Sequence, residues 1–187
     1  NTELSPDLVY RVAKAGAYAL AKQAGKAPTI LIGRDTRISG TLIERAMTAG
    51  FLSYGANVKL LGVIPTPAVA YLTRTHDVDA GVVISASHNP VEFNGIKFFD
   101  GNGYKLPDAL EDEIEALIKN GMQGVPFPTG PNGGKIKYRK DAREEYINHA
   151  VRAVNVDLKG MKIVVDCAEG ASHYTSVEAL ISSGAEV

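Results

Sequence analysis

Three short apolar runs, "PTILIG" (28–33), "NVKLLGVI" (57–64) and "AGVVIS" (80–85), each lie one helix-length from the next, and this spacing limits the fold more than any other feature. The intervening segments carry helical periodicity. Ile43, Met47, Phe51 and Tyr54 fall on one face between the first two runs, and "PTPAVAYLTRTH" (65–76) fills the second gap. Short strands joined by helical crossovers pair in parallel, with helices covering both faces of the sheet. "AGVVIS" does not alternate, as expected of a strand buried on both sides.

Local punctuation sets the element ends. Ser5-Pro6 caps a first helix with the stripe Leu8, Val9, Val12, Ala13, Ala17 and Leu20, closed by Gly25 and Pro28. Ser39 is expected to cap the second helix and Gly55 to stop it. Thr66 is expected to cap the third, with Pro67 at its first position. "GIKFFD" (95–100) reads as a further strand, and "LPDALEDEIEALIKNG" (106–121) as an acid-led amphipathic helix. Residues 121–138, rich in glycine and proline, read as an extended loop. After the charged helix "KDAREEYINHAVRAV" (140–154) the pattern starts again at residue 161 with strand, glycine turn, helix and the beginning of another strand. "FLSYGANV" (51–58) and "LISSGAEV" (180–187) share a helix-to-strand grammar that is general to α/β chains and does not require a repeat.

The expected fold class is therefore α/β, a mixed, mainly parallel sheet with helices on both faces, followed by the start of a second α/β domain. Residues 1–153 would form the first domain and 158–187 the incomplete second. About thirty residues after Leu158 cannot bury a normal core alone, so the chain is expected to be part of a longer polypeptide.

A net charge of −1 over 187 residues gives no global field favouring nucleic acid or an anionic membrane. No apolar run approaches the roughly 20 residues that span a bilayer. The opening "NTELSPDLVY" lacks a basic segment leading into an apolar core. One cysteine, Cys167, excludes a disulfide within the chain and fits a reducing cytoplasm; a packed core thiol is expected there.

Ligands of parallel α/β sheets bind beyond the C-terminal strand ends. Two polar loops leave strands at that edge, "GRDTRISG" (33–40) and "SASHNP" (85–90). Arg34 and Arg37 have the fork geometry suited to a phosphate. Ser85, Ala86 and Ser87 are small enough to let a ligand approach the backbone, and Asn89-Pro90 initiates a turn. Asp35 could serve only to pin its loop to an arginine. A hydrolase nucleophile is disfavoured: the G-x-S-x-G elbow is absent, and His88, next to Ser87 in extended chain, would point the other way. Neither G-x-G-x-x-G nor G-x-x-x-x-G-K-[ST] occurs, and four scattered histidines offer no zinc spacing.

"GVVISASHNPVEFNGIKFFD" (81–100) resembles the phosphoserine loop of the α-D-phosphohexomutases. "TILIGRDTRISG", "LLGVIPTPAVAYL" and "KIVVDCAEG" agree with that family in the same order. The wording "ISASHNP" is most similar to the phosphoglucosamine mutase branch. The resemblance implies a four-domain enzyme of which this is the first domain and the opening of the second. It further implies that Ser87 carries a phosphoryl group, that Lys97 stabilises charge and exchanges a proton with the sugar hydroxyl, and that His88 supports the phosphoserine. Ser85, Asn89, Arg34 and Arg37 would contact substrate or phosphate. The implied reaction interconverts glucosamine 6-phosphate and glucosamine 1-phosphate through a bisphosphate, with Mg²⁺ held partly by the phosphate on Ser87 and glucosamine 1,6-bisphosphate or glucose 1,6-bisphosphate as primer. The implied partners are a phosphosugar and the remaining domains, with no nucleic acid and no membrane. The family's aspartate-rich Mg²⁺ loop and its sugar- and phosphate-reading loops are not in this sequence, so the chain alone is expected to be inactive. Glucose and mannose phosphates remain alternative substrates, and a phosphosugar-binding domain without catalysis remains an alternative of another class.

Overall fold

The computed structural model describes residues 4–127 and 132–187. Helix α1 (Pro6–Ala24) begins where the Ser5 hydroxyl accepts a hydrogen bond from the Leu8 amide at 3.2 Å, and ends at Gly25, left-handed at φ +68°. Strand β1 (Thr29–Arg34), helix α2 (Gly40–Tyr54), strand β2 (Asn57–Val63), helix α3 (Thr66–Thr75) and strand β3 (Ala80–Ile84) follow in the expected order. Then come β4 (Ile96–Asp100), α4 (Asp108–Lys119), β5 (Ile136–Tyr138), α5 (Ala142–Val154) and α6 (His173–Ser182).

The five strands form one sheet in the order β4-β3-β1-β2-β5. β3, β1, β2 and β5 run parallel; β4 returns antiparallel to β3. This is the mixed, mainly parallel α/β sheet expected. Successive side chains of β1 enter opposite cores, Ile30 and Ile32 with α1, α2 and α4 on one face and Leu31 with α3 and α5 on the other. Burial of both faces explains why the central strands do not alternate. Each fully buried Ile, Leu or Phe contributes about 1.5–3 kcal/mol.

Glycines set how closely the layers approach. A Cβ on Gly50 of α2 would lie 2.3 Å from the Tyr10 carbonyl oxygen, so α1 and α2 cross in backbone contact. A Cβ on Gly81 would lie 2.1 Å from the Thr73 hydroxyl, so α3 rests directly on β3.

Several local expectations change. β5 falls within the segment read as loop: three exposed residues become a strand because Val58 donates to the Lys135 carbonyl at 2.8 Å and Arg139 to that of Leu60 at 2.8 Å. The Ser39 side chain makes no cap hydrogen bond, and Pro65, not Thr66, precedes the first turn of α3. The strand expected from Met161 is only an isolated bridge between Lys162 and Glu186, with Val164 fully exposed, because no neighbouring strand covers it among the described residues. Cys167 is accordingly only half-buried, not packed in a core. The shared "FLSYGANV" and "LISSGAEV" grammar has one physical cause. Gly55 and Gly184 both sit at φ +100°, and the following alanine amides reach back to Phe51 and Leu180.

Residues 158–187 lean on the first unit through α5 and α6. The Arg143 guanidinium lies 5.5 Å from the Tyr174 ring centroid, and the Thr36 hydroxyl donates to the Glu169 carbonyl at 2.6 Å. Among the described residues no helix is long and apolar enough to cross a membrane.

Candidate functional site

After β1 the chain passes through α2 on one face to β2; after β2 it passes through α3 on the other face and comes back beyond β1 to β3. The loops leaving β1 and β3 therefore diverge at a topological switch point, where an open α/β sheet forms its ligand crevice. Those are the loops Asp35–Ser39 and Ser85–Gly95. They are joined at their roots, the Asp35 amide donating to the Ile84 carbonyl at 3.0 Å, and the second loop is closed at its base by the Ser85 amide donating to the Gly95 carbonyl at 2.9 Å.

Ser87 stands exposed at the head of the second loop with φ +57°. This left-handed conformation costs an L-residue about 1–2 kcal/mol. Ser85 offsets part of that cost, its hydroxyl accepting from the Ser87 amide at 3.0 Å. The Asn89 amide closes a turn onto the Ala86 carbonyl at 3.1 Å, and Phe93 closes another onto Pro90 at 3.0 Å. His88 does not point away from Ser87. Its Nδ1 lies 3.3 Å from the Ser87 hydroxyl, because the left-handed residue breaks the alternation that an extended chain would impose.

Arg37 lies against this loop with its side chain 9% exposed. Nε donates to Asp35 Oδ2 at 3.0 Å. Nη1 donates to the carbonyls of Pro90 (2.7 Å) and Phe93 (2.9 Å), and Nη2 to those of Ser87 (3.0 Å) and Asn89 (2.7 Å). All five guanidinium N–H groups of Arg37, which the sequence led us to expect at a phosphate, are thus engaged by loop carbonyls and Asp35. Asp35 does pin its loop to an arginine: its Oδ1 also accepts from the Arg37 amide at 3.1 Å. Arg34 turns inward, 3.4 Å from Glu44, and its Nη1 donates to the Asp35 carbonyl at 3.3 Å. Asn94 was not singled out by sequence. It is 7% exposed, donates to the Ser39 hydroxyl at 3.0 Å and accepts from the Gly95 amide at 2.9 Å. The hydroxyl expected to cap α2 therefore ties the two loops together instead.

Lys97 pairs with Val83 across the β3–β4 ladder, so the two side chains share a face two positions before Ser85. It is exposed and makes no hydrogen bond or ion pair among the described residues. The site thus combines an exposed hydroxyl, an adjacent imidazole and a lysine on the neighbouring strand, above a backbone loop neutralised by a buried guanidinium. Such a group can present one oxygen to a phosphoryl centre and balance the charge that arrives. Among the described residues no three His, Cys, Asp or Glu side chains come together to hold a metal ion. This donor set is not an Mg²⁺ cage.

Residues 1–124 match the phosphoglucomutase/phosphomannomutase family, alpha/beta/alpha domain I. The chain belongs to this family. It is 56% identical over 187 residues to a phosphoglucosamine mutase of Clostridium novyi (strain NT), all of this chain and 41% of that protein. It is 58% identical over 188 residues to one of Clostridium botulinum (strain 657 / Type Ba4), again all of this chain and 42% of that protein. The chain thus spans about two fifths of the length of these relatives. Its fold matches the crystal structure of a phosphoglucomutase/phosphomannomutase family protein from Burkholderia thailandensis with TM-score 0.81 at 22% identity, covering 98% of this chain and 39% of that one.

Proposed function

We propose that residues 1–153 are the phosphoserine domain of a cytoplasmic phosphoglucosamine mutase and that residues 158–187 open its next domain. The observation that carries this reading is Ser87: an exposed hydroxyl, held left-handed at a switch-point loop, with His88 Nδ1 3.3 Å away and Lys97 on the adjoining strand. Similarity along all of this chain to phosphoglucosamine mutases, at 56–58% identity over about two fifths of their length, supports glucosamine phosphate as the substrate class.

Phosphoryl transfer asks for alignment and charge neutralisation more than for a strong nucleophile. Phosphoserine 87 gives its phosphoryl group to the free hydroxyl of the phosphosugar: the serine O–P bond breaks, the sugar O–P bond forms, and the proton released by the sugar hydroxyl is taken up by the Ser87 oxygen, relayed through Lys97. The bisphosphate turns over, and its other phosphate returns to Ser87. Lys97 supplies positive charge at the rim and exchanges a proton with the sugar hydroxyl; His88 hydrogen-bonds the phosphoserine, and Asn89 and Ser85 border the phosphate. Arg34, paired with Glu44 and bonded to the Asp35 carbonyl, holds the loop that carries Arg37. Mg²⁺ would add further neutralisation of the phosphoryl oxygens, touching this chain only through the phosphate on Ser87 and depending on carboxylates outside it.

The test uses the complete protein with Mg²⁺ and glucosamine 1,6-bisphosphate, then glucose 1,6-bisphosphate, with phosphate mapped by peptide mass spectrometry. Phosphate on Ser87, and loss of turnover in Ser87→Ala, is the expected result. Turnover with Ser87 unmodified, or undiminished in Ser87→Ala, would sink the reading. An inert protein that binds phosphosugar equally well with and without the serine hydroxyl would make this a binding domain.

A further inference from the structure

The loop that presents Ser87 has an unusual centre. The carbonyl oxygens of Ser87, Asn89, Pro90 and Phe93 all turn toward one point, 50 to 56 residues away in sequence from the group that fills it. Four carbonyl dipoles aimed at one another repel unless a cation lies between them. Arg37 is that cation. A guanidinium carries five N–H donors and no acceptor, and here all five are engaged, four by loop carbonyls and one by Asp35.

The consequence for Ser87 follows from peptide geometry. Peptide groups are planar, so fixing the N–H before a residue and the C=O after it fixes both planes and the direction of its Cα–Cβ bond. The Ser87 N–H is held by the Ser85 hydroxyl, and the Ser87 C=O by Arg37 Nη2. Ser87 would otherwise leave the left-handed region, which L-residues avoid. The turns closed by Asn89 and Phe93 act within the loop, and residues 87 to 93 are all exposed, so little packing adds to what Arg37 supplies.

We infer that Arg37 is a positioning residue for phosphoryl transfer: its planar fork gathers the loop carbonyls and thereby aims the Ser87 hydroxyl, while the arginine itself never touches the phosphate. This rests on Ser87 as the phosphoryl carrier. What the loop needs is the fork and not the charge alone. A lysine would keep the charge but offers three donors from a single point, which cannot span Asp35 and four separated carbonyls.

The experiment compares the complete wild-type protein with Arg37→Lys and Arg37→Ala. Hydrogen exchange followed by mass spectrometry should show faster exchange confined to residues 85–95 in both variants, with β1 and β3 unchanged. With glucosamine 1-phosphate, kcat should fall about 100-fold, the usual cost of misplacing a reacting group by about 1 Å. KM should change by less than about threefold, since no contact to substrate is lost. Methylguanidinium added to Arg37→Ala should restore part of both loop protection and kcat. Unchanged exchange at 85–95, or exchange that rises equally in β1 and β3, overturns the inference. So does a preserved kcat with a raised KM, which would make Arg37 a phosphate ligand. If wild-type Ser87 never takes up phosphate, the mutase reading fails by itself. The exchange comparison needs no activity and still decides whether Arg37 holds the loop.

Discussion

Replacing Gly81 by alanine puts one methyl group where β3 meets α3, directly beneath the strand that ends in the Ser85–Gly95 loop. The new Cβ would lie 2.1 Å from Thr73 Oγ1, with Thr73 Cβ at 3.2 Å and Cγ2 at 3.4 Å. Thr73 is fully buried, and its hydroxyl donates to the Val69 carbonyl at 2.8 Å, so it cannot swing into solvent. Overpacking of this kind costs about 2–3 kcal/mol, against about 0.5–1 kcal/mol recovered from the stiffer unfolded chain. Gly81→Ala should therefore destabilise by about 2 kcal/mol. Thr73→Ala loses one hydrogen bond and a buried methyl but gains helix propensity, for a net loss of about 1 kcal/mol. Together they remove the 2.1 Å contact and leave the 3.2 Å one, which needs a shift of only a few tenths of an ångström. The double variant should then lose about 1.5 kcal/mol rather than the additive 3, a coupling of about 1.5 kcal/mol. Urea unfolding followed by circular dichroism, with m unchanged, measures all four corners of the cycle. Agreement of the double variant with the sum to within about 0.5 kcal/mol would refute direct contact between helix and strand at this point.

Lys97→Met should lower kcat about 100-fold or more while leaving the melting temperature unchanged, because the side chain is exposed and unpaired among the described residues; a normal kcat would remove Lys97 from the chemistry. At Asp141, the hydrogen bond from Arg139 holds the carboxyl below the usual carboxylate range. Its folded pKa is depressed, so its stabilisation is complete above the unfolded value and is lost as pH falls through the folded one. Asp141→Asn should flatten the acid limb of a stability–pH curve slightly, since the carboxylate is 66% exposed and screened; a steeper acid limb in the variant would contradict the sign.

Much of the fold is readable because its causes are local. Ser5 with Pro6, and the glycines at 25 and 55, act on backbone within a few residues of themselves, and the structure has each acting as a helix boundary. Caps whose partner is distant are misread. Ser39 looks like a cap from its neighbours, yet its hydroxyl is occupied by Asn94, 55 residues on. β5 is too short for its Ile-Lys-Tyr alternation to stand out, and this edge strand of three exposed residues owes its conformation to the backbone of β2. The run from Met161 to Val165 has an apolar signature and forms no ladder, because strand propensity needs a partner.

The same division holds at the site. Sequence alone determined that two polar loops would leave parallel strands on one edge, with Ser87 on one of them and Arg37 on the other. These follow from apolar runs, turn residues and the fixed direction of a parallel sheet. Only tertiary structure decided what each group does there. The left-handed turn at Ser87 brought His88 back toward the hydroxyl, and the pairing of β1 with β3 delivered Arg37 to four carbonyls that sequence places 50 to 56 residues away. A donor's role depends on which acceptor reaches it first in space, and a linear chain does not record that distance.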